Sequence, residues 1–451
     1  MIHRYKNNGY NMVLDVESGS VHVVDDVFYD FLGHLEQGKS AAQAAEALAG
    51  SYPTGEIQEA AADCEELTGK GLLFAEDIYR EKIRDFSARP TVVKALCLHI
   101  AHECNLACRY CFAGEGEYRG ERALMSAEVG RKALDFLVRS SAARRNLEVD
   151  FFGGEPTMNF DVVRELVAYG RELETRHDKR FRFTLTTNGM LLNDEIMDFA
   201  NREMDNVVLS IDGRKEVNDR MRPDRGGHGS YERIVPRFLR FAESRGQERY
   251  YVRGTFTHHN LDFAADVLHL ADLGFRQISV EPVVAPPSED YAIREEDLPV
   301  IFEQYDLLAK EMIRRAREGR GFTFFHFMID LTGGPCVYKR LSGCGSGSEY
   351  LAVTPAGELY PCHQFVGEER FCLGNVTDGV LRTDLVEEFK RVNVYAKPAC
   401  ADCFARFTCS GGCAANAWNF TGDITDVYEI GCAMQKKRME CALMIQAALS
   451  E

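Results

Sequence analysis

Fourteen of the fifteen cysteines crowd into two stretches, four between Cys97 and Cys111 and ten between Cys336 and Cys441, leaving Cys64 alone. No other feature constrains the chain as tightly, because thiols placed in this way must be paired, buried or bound to metal. An exported disulfide framework would show an even count behind a secretory segment. Here the count is odd, and the first twenty residues carry charges with no apolar stretch. The expectation is a cytoplasmic protein with metal or redox chemistry. Nowhere do about 18 uncharged apolar residues run together, so no membrane partner is expected. With 53 Lys and Arg against 70 Asp and Glu, a net charge of −17, the chain lacks the cationic surface that phosphate backbones require. No nucleic-acid partner is expected.

At roughly 100–200 residues per domain, 451 residues suggest two to four domains. Residues 1–80 read as a small α/β module of three strands and three helices. Ile2 to Lys6, Tyr10 to Val16 and Ser20 to Val24 have strand character, with Glu17-Ser18-Gly19 as a turn. Helical spacing follows in Val27, Phe28, Phe31, Leu32 and Leu35, in the Ala-rich stretch 40–49, and from Ile57 to Leu67. Residues 81–93 read as a charged linker containing Pro90. Over 94–318 apolar runs alternate with amphipathic stretches. The strand candidates are Ala95–Ile100, Val149–Phe152, Phe181–Thr186, Val207–Ile211, Tyr251–Phe256 and Ile278–Val283. Strands separated by helices predict a parallel α/β sheet, six units making a partial (β/α)6 barrel with its reactive groups at the strand ends. Residues 319–451 are rich in Cys and Gly with little periodicity, so metal coordination, more than an apolar core, is expected to organise them.

The first cysteine cluster follows the first barrel strand directly, as Cys104-x3-Cys108-x2-Cys111. Three thiolates on one short loop can hold three corners of a [4Fe–4S] cube and leave one iron open to a ligand. A zinc site completed by a distant residue, or buried thiols, are the alternatives. With Tyr110 before its last cysteine, the loop resembles that of radical S-adenosylmethionine (SAM) enzymes. The resemblance implies that the open iron chelates the methionine moiety of S-adenosylmethionine, and that one electron then yields a 5′-deoxyadenosyl radical able to take hydrogen from carbon. Gly153-Gly154-Glu155-Pro156 resembles the family's GGEP segment near the methionyl amine, where any side chain would obstruct the ligand. By the same resemblance, Asn188 in Thr187-Asn188-Gly189, together with Ser210 and Asp212, reaches the cofactor's ribose and carboxylate. Arg222 falls in an HDxxR-like segment in which Asn218 replaces the histidine.

The later cysteines fall as Cys344, Cys362, Cys400, Cys403, Cys409, Cys413 and Cys432, with Gly357 between the first two, which is similar to the SPASM extension of peptide-modifying radical SAM enzymes. The resemblance implies two auxiliary [4Fe–4S] clusters, three in all. Cys400, Cys403, Cys409 and Cys432 hold the outer one; Cys344, Cys362 and Cys413 belong to the inner one, with Cys336 a candidate fourth ligand or else an open iron. An open iron there can bind and deprotonate a substrate cysteine without a side-chain base. Structural zinc is the alternative. Cys64, Cys97, Cys372 and Cys441 lie outside every motif.

The N-terminal order of three strands and three helices resembles the winged-helix-like peptide-recognition element of ribosomal natural-product pathways. There a leader peptide adds a strand to the third strand and packs on the third helix. The residues implied are Val21, Val23, Asp25 and Leu67. Together the modules resemble thioether-forming radical SAM peptide maturases, namely SCIFF-peptide maturases and sactipeptide and ranthipeptide synthases. The implied activity joins a cysteine of a leader-bearing, Cys-rich precursor peptide to an acceptor residue, often threonine. The adenosyl radical takes a hydrogen from the acceptor, and the carbon attacks the bound sulfur and returns one electron to the cluster. A flavodoxin- or ferredoxin-type donor is implied as the source of electrons. The rival readings are a sulfatase-type maturase making formylglycine and a non-enzymatic iron–sulfur peptide-binding or electron-transfer protein.

Overall fold

The computed structural model describes residues 1–81, 83, 88–120, 122–331 and 336–450. The expected linker, 81–93, falls partly outside these residues. At the N-terminus β1 (Ile2–Asn7), β2 (Tyr10–Asp15) and β3 (Val21–Val24) form an antiparallel meander in that order. The first hairpin turns on Asn8-Gly9, both at positive φ (47° and 88°), the two-residue loop whose twist matches that of the flanking strands. Three helices follow, Asp26–Glu36, Ala41–Leu48 and Thr54–Gly69. Asp25 caps the first by accepting from the Phe28 N–H at 2.8 Å, and Ser40 and Gln43 form a reciprocal capping box on the second.

Period-2 alternation in β2 joins this module to the rest of the chain. Val13 packs with Phe28, Phe31, Leu32 and Ile57 in the module's own core, whereas Met12 and Leu14 enter the large central core. Polar contacts reinforce the junction. His3 bonds Glu440 at 3.0 Å, Tyr5 Oη donates to the Glu440 carbonyl at 2.9 Å, and Asn7 Nδ2 donates to Asp306 at 2.8 Å. Arg406, between two of the late cysteines, is buried with Glu17 of the β2–β3 turn and with Asp77.

The central sheet contains all six expected parallel strands as sequential neighbours: β4 (Ala95–Ala101), β5 (Asn146–Gly153), β6 (Arg180–Thr187), β7 (Asn206–Ser210), β8 (Tyr250–Phe256) and β9 (Gln277–Pro282). The sheet extends further than the sequence suggested. β10 (Thr323–Phe324) pairs parallel to β9, and β11 (Tyr350–Val353) pairs parallel to β4, Ala352 opposite Cys97. β12 (Glu358–Tyr360), β13 (Gly374–Asn375) and β14 (Gly379–Val380) continue antiparallel. The strand order runs from β10 to β14 without returning on itself, so the barrel is partial.

The C-terminal stretch departs from expectation. Helix Glu429–Ser450 packs along helix Leu298–Arg317 and buries Met434, Met439, Cys441, Leu443, Met444 and Ile445 in the central core. Apolar packing therefore organises this end as much as its cysteines do. No helix among the described residues is long and apolar enough to cross a membrane. Truncating Leu443, which is fully buried, to alanine should cost about 2–5 kcal/mol, seen as a lowered melting temperature of the metal-free chain; an unchanged melt would mean that the helix only covers the surface.

Candidate functional site

β4 runs at Ala101 into the loop carrying Cys104, Cys108 and Cys111. One flank of that loop is tied to residues 221–225. Ala107 N–H donates to the Pro223 carbonyl and Arg109 N–H to that of Met221, both at 2.9 Å, and Arg225 Nε donates to the Cys104 carbonyl at 2.7 Å. The other flank meets the end of β5, where Gly154 N–H donates to the Ala101 carbonyl at 2.7 Å and Glu155 N–H to that of Glu103 at 2.9 Å. A Cβ on Gly154 would lie 2.2 Å from the Glu103 oxygen; one on Gly153, which sits at φ +118°, would lie 2.3 Å from the Ala101 oxygen. The sequence reading assigned these glycines to ligand clearance. In the structure the neighbouring main chain fills that space, and glycine is what lets the two loops touch.

The Glu155 carboxylate is almost wholly buried and turns towards the protein. Oε1 accepts from Thr157 N–H at 3.0 Å and from Thr187 Oγ1 at 2.8 Å, and Oε2 accepts from Asn188 N–H at 2.7 Å. Burial raises its pKa against these hydrogen bonds. Asn188 Nδ2 donates to Asn105 at 2.8 Å and lies 3.5 Å from Cys104 Sγ. Below the loop, Tyr110 Oη donates to Asp212 at 2.8 Å and accepts from Arg222 Nη1 at 2.9 Å. Burial pushes Asp212 up to about 6, opposed by Arg222 and Tyr110. The buried Arg222 Nε has no hydrogen-bond partner among the described residues. Ser210 is half-buried as the last residue of β7. Burial also raises Cys104 to about 11 and Cys108 to about 12, so both are thiols until a metal displaces their protons.

Cys400, Cys403, Cys409 and Cys432 line a single cavity of about 610 Å³. Burial first, then the charges of Cys409, Cys400 and Cys403, raise Cys432 to about 11. Cys362 is raised to about 12 by burial and then by the charges of Cys413 and Cys344. Cys336 is exposed, directly before helix Val337–Ser342. Among the described residues no group of three or more His, Cys, Asp or Glu side chains is drawn together as a single-ion site. The fit to iron–sulfur clusters accordingly rests on the shared cavity and on the soft thiol donors.

A Radical SAM superfamily sequence family matches residues 98–278, and an iron–sulfur cluster-binding domain family, SPASM, matches residues 344–404. The chain has a radical SAM fold followed by a SPASM domain. It is similar to the cysteine-type anaerobic sulfatase-maturating enzyme of Clostridium novyi, 24% identical over 69% of this chain and 85% of that protein. The structure of native anSMEcpe with bound AdoMet superposes with a TM-score of 0.65 at 19% identity, covering 79% of this chain and 99% of that one. Streptococcus suis SuiB bound to S-adenosylmethionine superposes with a TM-score of 0.52 at 16% identity, covering 95% of this chain and 98% of that one.

A second cavity, of about 370 Å³, is lined by Glu281, His326, Arg438, Cys409, Cys413 and Cys432. Arg438 Nη1 lies 3.2 Å from His326 Nδ1, and Ser279 Oγ lies 3.1 Å from Nε2. Because arginine can only donate, Nδ1 accepts and the proton is assigned to Nε2. Burial, assisted by Arg438, lowers His326 to about 3. Although burial opposes it, the charges of Arg253 and Arg438 and the Arg253 hydrogen bond hold Glu281 below the usual carboxylate range. Sequence reasoning missed this chain of polar groups, whose members come from β8, β9, residues 325–327 and the last helix. It also missed the pair His99 Nδ1···His102 Nε2, 3.0 Å apart, and Tyr118, whose hydroxyl donates to the Gly153 carbonyl at 3.1 Å. A histidine in the otherwise apolar, fully buried β4 was the available signal for His99.

The four leader-binding candidates divide. Val23, 47% exposed, lines a groove of about 400 Å³ between β3 and helix Thr54–Gly69, together with Asp25, Leu67, Glu56, Glu59 and Asp63. Asp25 lends its carboxylate to a helix cap. Val21 lies outside that groove, in a separate cavity of about 670 Å³ with Leu14, Phe325, Met328 and Phe404.

The backbone contact at Gly154 yields a direct test. Gly154→Ala should push Glu103 away, and the reconstituted protein should lose about four irons per chain, the content of one [4Fe–4S] cluster, while the C-terminal thiols stay loaded. Unchanged iron content would mean that the contact does not set the loop.

Proposed function

We propose that this chain is a radical SAM enzyme that installs a thioether crosslink between a cysteine and an acceptor residue, threonine by the family pattern, of a ribosomally made, leader-bearing, Cys-rich peptide. The observation that carries this reading is the N-terminal module. Among the described residues its β3 has no strand on its outer side, and a groove lies between that strand and a helix. A fold likeness to SuiB extends over this module, whereas the likeness to anSMEcpe covers less of the chain. SuiB has also been solved bound to precursor peptide SuiA.

In this reading Cys104, Cys108 and Cys111 hold one cluster, and Cys400, Cys403, Cys409 and Cys432 another. Cys344, Cys362 and Cys413 contribute to the third. With S-adenosylmethionine bound, the first cluster would supply the 5′-deoxyadenosyl radical that abstracts hydrogen. Tyr110, Gly153, Gly154, Glu155, Asn188, Ser210, Asp212 and Arg222 would form the S-adenosylmethionine site, either directly or by holding its loops in place. The peptide's reacting side chains lie in the 370 Å³ cavity, near Glu281, His326, Arg438 and Cys413. His326 takes no proton there, since Nδ1 accepts from Arg438 and Nε2 already carries hydrogen. If the inner cluster keeps an open iron, as the family resemblance implies, coordination there would acidify a substrate thiol without help from this imidazole.

The leader adds a strand to β3, with main-chain bonds giving affinity. Glu56, Glu59 and Asp63, none of them ion-paired among the described residues, suit a leader that carries Lys or Arg. Reversing two of these charges, Glu59→Lys with Asp63→Lys, should raise the KM for a lysine-bearing precursor roughly three- to tenfold at low salt, with the difference shrinking as salt screens it. A KM that does not move would detach the groove from substrate capture.

A sulfatase-type maturase remains the second reading, favoured by the higher structural similarity to anSMEcpe. Mass spectrometry separates the two. Full-length protein, reconstituted and given S-adenosylmethionine, a strong reductant and a Cys-rich precursor, should remove two hydrogens per crosslink from the leader-bearing peptide and leave a leaderless one largely untouched. Replacement of cysteine sulfur by oxygen would favour the second reading. Absence of 5′-deoxyadenosine would point to a non-enzymatic role. The leader is better removed from the peptide than residues 1–80 from the protein, because that deletion would take Tyr5, Met12 and Leu14 out of the central core and strip Arg406 of Glu17.

A further inference from the structure

Lys397, 1% exposed, is the only buried lysine among the described residues. It directly precedes the turn Pro398–Cys400, and its carbonyl accepts from the Cys400 N–H at 2.9 Å. Its stem passes Gly411, where a Cβ would lie 3.6 Å from Lys397 Cδ, and its ammonium donates to the Asp426 carbonyl at 2.8 Å. The side chain thus threads between the turn at Cys400, the Cys409–Cys413 loop and the segment leading to Cys432. No carboxylate ion-pairs with it among the described residues; Asp423, whose pKa its charge helps to lower, is exposed. The other cations near these cysteines have partners or are exposed: Arg406 pairs with Glu17, Lys437 with Asp306, Arg438 meets His326, and Lys436 faces solvent.

A buried cation with a single carbonyl partner is unfavourable by itself. Thiolates on an iron–sulfur cluster carry net negative charge, which grows on reduction, and a nearby fixed positive charge favours the reduced state. We propose that Lys397 is the internal counter-charge of the auxiliary cluster sites, holding them at a higher reduction potential than their thiolates alone would set. The inference rests on the reading of the two late cysteine sets as cluster sites.

The test uses the full chain with Cys104, Cys108 and Cys111 changed to alanine, so that only auxiliary iron contributes to the electron paramagnetic resonance signal during a redox titration. Lys397→Gln keeps a donor for Asp426 but removes the charge. It should disfavour reduction of at least one auxiliary centre about tenfold, a fall of ~59 mV in a one-electron midpoint. Lys397→Arg should restore most of that shift, which a purely structural role would not do. The metal-free Lys397→Gln protein should melt higher than its parent, because an uncompensated charge has gone; the same gain covers the case in which the variant loads iron poorly. Normal iron content with unmoved midpoints would overturn the role of Lys397. A parent that binds no iron at the late cysteines would overturn the cluster reading itself, and the inference with it.

Discussion

The buried Glu155 carboxylate is the knot on which the candidate centre depends. Its main chain reaches the end of β4 through Glu103, its own segment terminates β5, and its oxygens hold Thr187 and Asn188 at the end of β6. Three adjacent strand ends are thereby fixed at hydrogen-bond precision. Parallel sheets expose their strand ends as loops that have no intrinsic reason to keep a common geometry. A satisfied carboxylate inside a low-dielectric site supplies that reason, because any loop that moved away would leave a charge or a donor unpaired.

Much of the architecture was legible because it is local. Apolar, β-branched runs at regular separation marked all six central strands, and the spacing of Cys104, Cys108 and Cys111 marked the loop. What escaped was non-local. The two residues of β10 are too few to show a period, and β11 is apolar but sits in a stretch dominated by Cys and Gly. Helix Glu429–Ser450 is buried on several sides, so it lacks the one-sided stripe by which helices are recognised. The purpose of Gly153 and Gly154 was misread for a related reason: sequence shows that a side chain is missing, not which atoms would have met it.

The site was legible in its residue types and less so in its directions. Tyr110 lies far in sequence from Asp212 and Arg222, yet the three form one contiguous polar group. Val21 and Val23 share strand parity but line different cavities, because the neighbours around β3 change along its length. The chain from Arg253 through Glu281 and His326 to Arg438 had no sequence signature, since each member comes from a different element and only the fold brings them together.

The contacts of β1 with the final helix, and of Glu17 with Arg406, have a temporal side. Glu17 is made hundreds of residues before Arg406, and His3 and Tyr5 wait for Glu440. During synthesis the first hairpin therefore lacks its contacts with Arg406 and Glu440 until those residues have left the ribosome. Assembly of the late cysteine pockets and seating of the amino-terminal module become a single closing event. A cell that loads iron into those pockets must do so on a chain that is already complete.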